Sequence, residues 1–412
     1  MLRENDCSPD PALVPVAEAI DFLLLQANPI RETENISISQ ALGRVLANDL
    51  TSSIDVPPAD NSAMDGYAAR LSDLSTESAT TLPISQRICA GAVGTPLSPK
   101  SVARIFTGAP IPEHADVVIM QENCSAKGDQ VTLSAKLKLG QNIRRAGEDI
   151  QSGSTILKQG TLFRAQEMGL AASVGIAEIP VFNKLKIGIF STGDELCEPG
   201  EQALPGQIYN SNRYTLKGLL QASGCEIVDL GATADTLDAT EKSLKNAATQ
   251  ADLIISTGGV SVGEEDHVRA ALENLGELKM WRINMRPGKP LAFGHIQSTP
   301  FIGLPGNPVS VFVTYLIFAL PFIAKMQGRT RYQPTHYQLP ADFNWDRPDS
   351  RMEFLRARIN RETIPATLQI FSHQGSGVLT STCWADGLLV IPPETKITKG
   401  DLVQFIPFKE FF

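Results

Sequence analysis

The sequence predicts a multidomain α/β-plus-β protein, built around a central, mostly parallel, Rossmann-like α/β domain at residues 184–330. Three observations predict it. Apolar runs at 186–190, 226–230, 252–255 and 300–303 alternate with helical patterns at 212–222, 237–250, 266–275 and 308–326, as in a parallel sheet covered on both faces. The runs are almost unbroken in apolar residues, which strands buried on both sides require. Short strand signals separated by Gly and Pro, at 84–137 and again beyond 331, mark two smaller β units.

Along the chain, Val16, Ile20, Leu23, Leu24 and Ala27 fall at helical spacing, and Ala41, Leu42, Val45 and Leu46 suggest a second helical patch. Residues 154–182 read as a strand, an Ala-rich helix and a strand. Grouped with the N-terminus, they give a discontinuous helix-and-strand linker domain, 8–53 and 146–183. The β-rich stretch 54–145 is then an insertion, which surface loops tolerate. Its candidate strands are 84–90, 102–107, 116–121 and 130–137. Residues 331–412 form a C-terminal β barrel-like domain, with strands expected at 337–339, 353–359, 368–371, 388–391 and 402–405. The longest apolar stretch, Val309 to Ile323, is interrupted by Ser310, Thr314 and Pro321, and falls short of the roughly 20 residues a bilayer needs. It reads as a buried core helix with no membrane role.

A length of 412 residues suits two to four domains. The net charge of -9 argues against broad nucleic-acid binding, which needs basic surface. The six cysteines form no C-x-x-C pair, and read as free thiols of a cytoplasmic protein.

Candidate chemistry gathers where the central strands end, the place ligands occupy in open α/β sheets. Ser191-Thr192-Gly193-Asp194-Glu195-Leu196 follows the first run. Ser256-Thr257-Gly258-Gly259-Val260-Ser261 follows the third, and its hydroxyls and flexible N–H groups suit phosphate. Leu304-Pro305-Gly306-Asn307-Pro308 follows the fourth. Asn before Pro at a helix start favours an anion there, although alone it reads equally as a capped helix with no ligand. Arg282, Arg286 and Lys289 lie in a compact basic run that would complement phosphates. Asp194, Glu195, Asp235 and Asp266 stand near the same strand ends; carboxylates and phosphate in one cleft call for a divalent cation, and oxygen-only donors favour Mg²⁺. His267 and His295 are isolated and read as structural. Upstream, Asp55 to Tyr67 carries Asp55, Asp60 and Asp65 between prolines and a glycine; taken alone, it is a solvated turn.

Seven motifs in this order then carry a resemblance: Asp60-Asn61-Ser62-Ala63-Met64-Asp65-Gly66-Tyr67-Ala68, Phe106-Thr107-Gly108-Ala109-Pro110, Arg145-Ala146-Gly147-Glu148-Asp149, Ser191-Thr192-Gly193-Asp194-Glu195-Leu196, Ser256-Thr257-Gly258-Gly259-Val260-Ser261-Val262-Gly263, Pro287-Gly288-Lys289-Pro290 and Gly303-Leu304-Pro305-Gly306-Asn307-Pro308. Together they closely resemble the molybdopterin molybdenumtransferases, the MoeA family that includes the gephyrin E domain. The resemblance implies a four-part homodimer that inserts molybdate into the dithiolene of adenylyl-molybdopterin, releases AMP and uses Mg²⁺. It implies catalytic roles for Asp65, Thr107, Asp149 and Glu195, and metal binding by Glu195, Asp235 and Asp266. Substrate binding would fall to Thr192, Asp194, Ser256, Thr257, Gly258, Gly259, Ser261, Arg286, Lys289, Pro305, Gly306, Asn307 and Pro308, and on weaker motifs to Arg356 and Ser376. The cleft would be composite, with Asp60 to Tyr67 coming from the partner subunit. Arg286 stands where relatives carry Lys, and His267 where an aromatic is frequent. Two alternatives remain at this stage: a molybdopterin adenylyltransferase-type enzyme, which shares the Thr-Gly-Gly and Pro-Gly-Asn-Pro loops and is also an expected protein partner, and a non-catalytic molybdopterin-binding scaffold.

Overall fold

The computed structural model describes residues 13–193, 195–233, 236–258 and 267–411. Its central sheet has six strands in the order Glu226–Thr233, Lys186–Thr192, Leu253–Thr257, Thr299–Leu304, Pro290–Ile296, Gly276–Arg282. The first four are mutually parallel, so their carboxyl ends share one edge. The last two pair antiparallel and extend the sheet beyond the expected parallel strands.

One face of this sheet is covered by helices Val16–Gln26 and Ser211–Ala222 and by the long helical run from Pro308 to Met326. That run is α-helical at Pro308–Thr314, widens to a π-helix at Tyr315–Ala319, and returns to α-helix at Leu320–Met326. It is apolar and long enough to cross a membrane by composition, but its side chains are buried inside the protein. Each large apolar side chain buried there contributes about 1.5–3 kcal/mol. Helices Leu237–Ala248 and His267–Leu275 cover the other face through Leu244, Val268 and Leu272.

Two local expectations are corrected. The Val16–Gln26 helix, grouped by sequence with the linker, packs into the α/β core, and its Phe22 ring stands edge-on to Trp281 at 4.9 Å between centroids. Ala41 to Leu46 is not helical: Gly43 takes φ +74, and Val45 and Leu46 make single bridges to Leu162 and Val181. The apolar spacing there serves a small core shared with Ile36, Phe163 and Ile179.

In that small core, Thr33–Ser37 pairs antiparallel with Glu178–Phe182, and Leu50–Thr51 with Thr155–Leu157. The intervening chain makes a six-stranded sheet in the order Val117–Met120, Gly66–Ala69, Val102–Ile105, Thr80–Ile88, Gln130–Leu133, Cys124–Lys127. Gly66 is forced to be glycine by its neighbour strand: a Cβ would lie 1.9 Å from the Ile119 carbonyl oxygen. Gly66→Ala is expected to destabilise the fold by about 3 kcal/mol or more. A denaturation midpoint unchanged from that of the unmodified protein would contradict this close approach.

A second six-stranded array closes the C-terminal part: Met285–Arg286, Met352–Asn360, Gly387–Ile391, Leu402–Pro407 and Tyr337–Pro340, with Thr367–Ile370 paired to Met352–Asn360. Met285 and Arg286 belong to this array, pairing parallel with Met352 and Glu353. The basic run is thus a strand that ties the α/β sheet to the C-terminal one.

Candidate functional site

The three strand-end loops meet. Ser191 Oγ lies 3.4 Å from Thr257 Oγ1, and the Gly258 N–H donates to the Leu304 carbonyl at 3.1 Å. A Cβ on Gly306 would lie 3.8 Å from Gly258 Cα, and one on Gly258 3.9 Å from the Thr192 carbonyl oxygen. The hydroxyls of Ser256 and Thr257, expected to cradle a ligand, are buried at 1% and 4% exposure, and Ser256 Oγ has no partner. Backbone is the accessible polar surface here. Asn307 sits at the N-cap with Pro308 at N1, yet its side chain makes no capping bond. Gly306 and Asn307 are exposed, and their N–H groups meet no acceptor among the described residues. Asn212, the second residue of the Ser211–Ala222 helix, holds this loop by donating Nδ2 to the Gly306 carbonyl at 2.7 Å. The sequence reading missed Asn212; its signal was an Asn-Ser-Asn helix start beside a site loop.

Glu195 is exposed on the first loop. Gly193 has φ +139, and a Cβ there would fall 2.3 Å from Glu195 Oε2, so the missing side chain makes room for the carboxylate. Asp194, Asp235, Gly259, Ser261 and Asp266 lie outside the described residues. Among the described residues, no group of three or more His, Cys, Asp or Glu side chains converges as a metal site would require.

A second polar array lies on the inserted sheet. Asp65 Oδ1 accepts from both the N–H and the hydroxyl of Thr107, each at 2.8 Å. These bonds hold the Asp65 carboxyl below the usual carboxylate range, helped by the Arg104 charge. Asp60 accepts from the Ala146 N–H at 2.9 Å and pairs with Arg145; the backbone bond is the main cause that keeps its carboxyl low. Short strands Asn61–Ser62 and Ile143–Arg144 clamp the two segments together. The loop expected to be a solvated turn is therefore built into the sheet. Asp149 is exposed nearby, with its N–H bonded to the Val56 carbonyl. No hydrogen bond or ion pair among the described residues links this array to the strand-end loops.

These two arrays carry the motifs that the comparisons recover. Residues 14–175 match the MoeA N-terminal region (domain I and II), 188–325 a probable molybdopterin binding domain, and 338–408 the MoeA C-terminal region (domain IV). A molybdopterin molybdenumtransferase of Haemophilus influenzae is 42% identical over 383 residues, which cover 92% of this chain and 94% of that protein. The chain belongs to the MoeA family of molybdopterin molybdenumtransferases. Molybdopterin molybdenumtransferase 2 of Mycobacterium tuberculosis is 33% identical over 380 residues, covering 90% of this chain and 93% of its own. A crystal structure of the molybdopterin biosynthesis moeA protein from Pyrococcus horikoshii superposes with a TM-score of 0.84 at 29% identity, over 96% of this chain and 100% of that one. The multidomain α/β and β architecture is thus that of the MoeA family.

In this transferase the C-terminal sheet closes on the helix start at Pro308. The Val309 N–H donates to the Ser376 carbonyl at 2.9 Å. Arg356, fully buried, reaches the adjacent Gly375 carbonyl (3.3 Å), the Phe354 carbonyl (3.2 Å) and Ser381 Oγ (3.0 Å). All three acceptors are neutral. Burial, with the Arg286 charge second, pulls its pKa down to about 10. Arg286 itself faces Asp349 at 3.4 Å and Glu353 at 3.5 Å, so its charge is shared with protein carboxylates. Lys289 is half-buried, and its ammonium has no partner among the described residues. Of the basic run, Lys289 is the cation left available to a ligand; Arg286 first serves the joint between the sheets.

Proposed function

We propose that this transferase takes adenylyl-molybdopterin and molybdate, inserts the metal into the dithiolene and releases AMP, a water oxygen bonding to phosphorus as the phosphoanhydride P–O bond breaks. The observation that carries this reading is the pair of N–H groups of the exposed residues Gly306 and Asn307, which meet no acceptor among the described residues, at the start of a helix whose cap side chain makes no capping bond. Such N–H groups, with the helix dipole behind them, bind phosphate. Thr192 borders the same floor, Lys289 adds a point charge, and Arg356 supplies a buried cation that neutral acceptors leave uncompensated. The phosphate-bearing end of the substrate binds here.

The dithiolene end meets the Asp65 array. Insertion exchanges one molybdate oxygen for two sulfurs, and the two thiol protons leave with that oxygen as water. Asp65, kept ionised by Thr107, accepts hydrogen bonds from the thiols and orients them. Arg145, held by Asp60, offsets the local negative charge. Among the described residues no hydrogen bond or ion pair joins the two arrays, and in the proposed homodimer the cleft joins the array of one subunit to the loops of the other.

The donors in view near the strand ends are oxygens, the Glu195 carboxylate and the Thr192 hydroxyl, a set that fits Mg²⁺. Glu195, with Asp235 and Asp266, would hold the ion, and bound there it would neutralise charge developing on the phosphoanhydride.

Incubation of the purified protein with adenylyl-molybdopterin and molybdate tests the reading. AMP and metal-loaded cofactor are the expected products. Consumption of ATP with metal-free molybdopterin would instead indicate an adenylyltransferase, and binding without turnover a scaffold.

The Asp65–Thr107 contact gives a further prediction, in the acid limb of the pH profile. Thr107→Val removes the hydroxyl bond and keeps the backbone one, so the Asp65 pKa rises toward its ordinary value. Ionised Asp65 is then lost at a higher pH as acid is added. The acid limb of kcat/KM is expected to shift upward; an unshifted limb with unchanged rates would remove Asp65 from the reacting state.

A further inference from the structure

A cavity rich in cations is lined by residues of neither array. This cavity, of about 470 Å³, opens where the helical run meets the start of the C-terminal segment and the 160–167 stretch. Four cations line it, Arg164, Arg329, Arg331 and Lys409, against two carboxylates, Glu167 and Glu410. Arg164 is already paired with Glu167, and Glu410 accepts from the Tyr337 hydroxyl at 2.9 Å. Arg331 and Lys409 are exposed and have no ion pair among the described residues.

Arg329 is the unusual member. Its NH2 donates to the Ser223 carbonyl at 3.1 Å, and its Nε is buried with no partner. The ionisable groups that act on its charge are Cys225 and Tyr315, both neutral because burial pushes their pKa values up. Ser223 is further committed to Tyr315 at 2.8 Å and to Gln327 at 2.8 Å, so this network offers Arg329 no negative charge. A largely buried guanidinium whose bonded acceptor is a neutral carbonyl is costly. An anion in the adjoining cavity would offset that cost. The cavity floor is fixed, since the Thr330 N–H bonds the Gly160 carbonyl at 3.2 Å, and a Cβ on Gly160 would lie 2.7 Å from the Gly328 carbonyl oxygen. Tyr332, Leu316, Leu320 and Pro321 add an apolar wall.

We propose that this cavity binds a phosphorylated small molecule with a flat apolar body, of nucleoside monophosphate class, its phosphate on Arg329, Arg331 and Lys409 and its ring on the apolar wall. The volume lies within the range of small-molecule sites. Nothing in this proposal depends on the transferase reaction.

Calorimetric titration of the full chain with AMP, and separately with adenosine, tests it. Two backgrounds separate the cavity from the strand-end loops: Lys289→Glu, which sets a negative charge against phosphate at the loops, and the surface double variant Arg331→Ala/Lys409→Ala. AMP binding that survives Lys289→Glu and weakens about tenfold or more in the double variant, with adenosine binding far more weakly, is the expected result. AMP binding that is absent, or identical in the double variant and the unmodified chain, overturns the proposal. Adenosine binding as tightly as AMP overturns it as well, because the cations would then contribute nothing.

Discussion

Asp65→Asn slows molybdenum insertion by about 100-fold or more while leaving the binding of adenylyl-molybdopterin within a few-fold of normal. The substitution keeps shape and volume. It keeps an oxygen that can still accept from the Thr107 N–H and hydroxyl, which now bond at 2.8 Å each. What it removes is the charge that those two bonds hold in place. The fold is therefore preserved, and on the proposed mechanism the loss falls on the step that uses an ionised group at the dithiolene. The phosphate end is proposed to bind elsewhere, at the Gly306–Asn307 floor, so affinity is expected to be spared. Single-turnover formation of loaded cofactor, measured beside equilibrium binding, separates the two. Normal insertion by the Asn variant would assign the Asp65 array to structure alone.

Glu195→Ala produces the complementary defect. AMP release falls by about 100-fold, and the substrate remains bound at the loops. The carboxylate is exposed over Gly193, where a Cβ would collide with it, so no packing depends on it and little stability is lost on truncation. Chromatographic detection of AMP from pre-bound substrate reads this step directly. Release at the normal rate would take Glu195 out of the chemistry and with it the described part of the proposed Mg²⁺ set.

The contrast between these variants shows what the sequence could and could not convey. The four parallel strands are legible because burial on both faces demands continuous apolar runs, as in Ile187 to Phe190 and Leu253 to Ile255. The antiparallel pair Gly276–Arg282 and Pro290–Ile296 is not, because its strands flank a basic run and include charged and glycine positions. The same run read as a free cationic turn. Pairing with Met352–Asn360 puts Arg286 against Glu353, 67 positions along the chain. Ser256 and Thr257 looked like phosphate ligands by composition; their strand ends two residues later than the apolar run suggests, and both residues are buried. The Asp65–Thr107 bond spans 42 positions and was visible only through the order of family motifs, since neither loop alone announces the other. Arg356 reads as one charge in a strand, and only the fold reveals that its acceptors are all neutral.

The central claim is that the Asp65 array of one subunit and the Glu195 loop of the other make one active site. Mixed dimers test it most directly. Differently tagged Asp65→Asn and Glu195→Ala chains are co-expressed, and the heterodimer carrying both tags is purified. If the site is shared across subunits, one site in that heterodimer collects both substitutions and the other collects neither. The heterodimer then regains about half of the unmodified dimer's activity, although each parent is nearly inactive. If each chain builds its own site, every site keeps one lesion, and the heterodimer stays as inactive as its parents; that result would contradict the composite cleft.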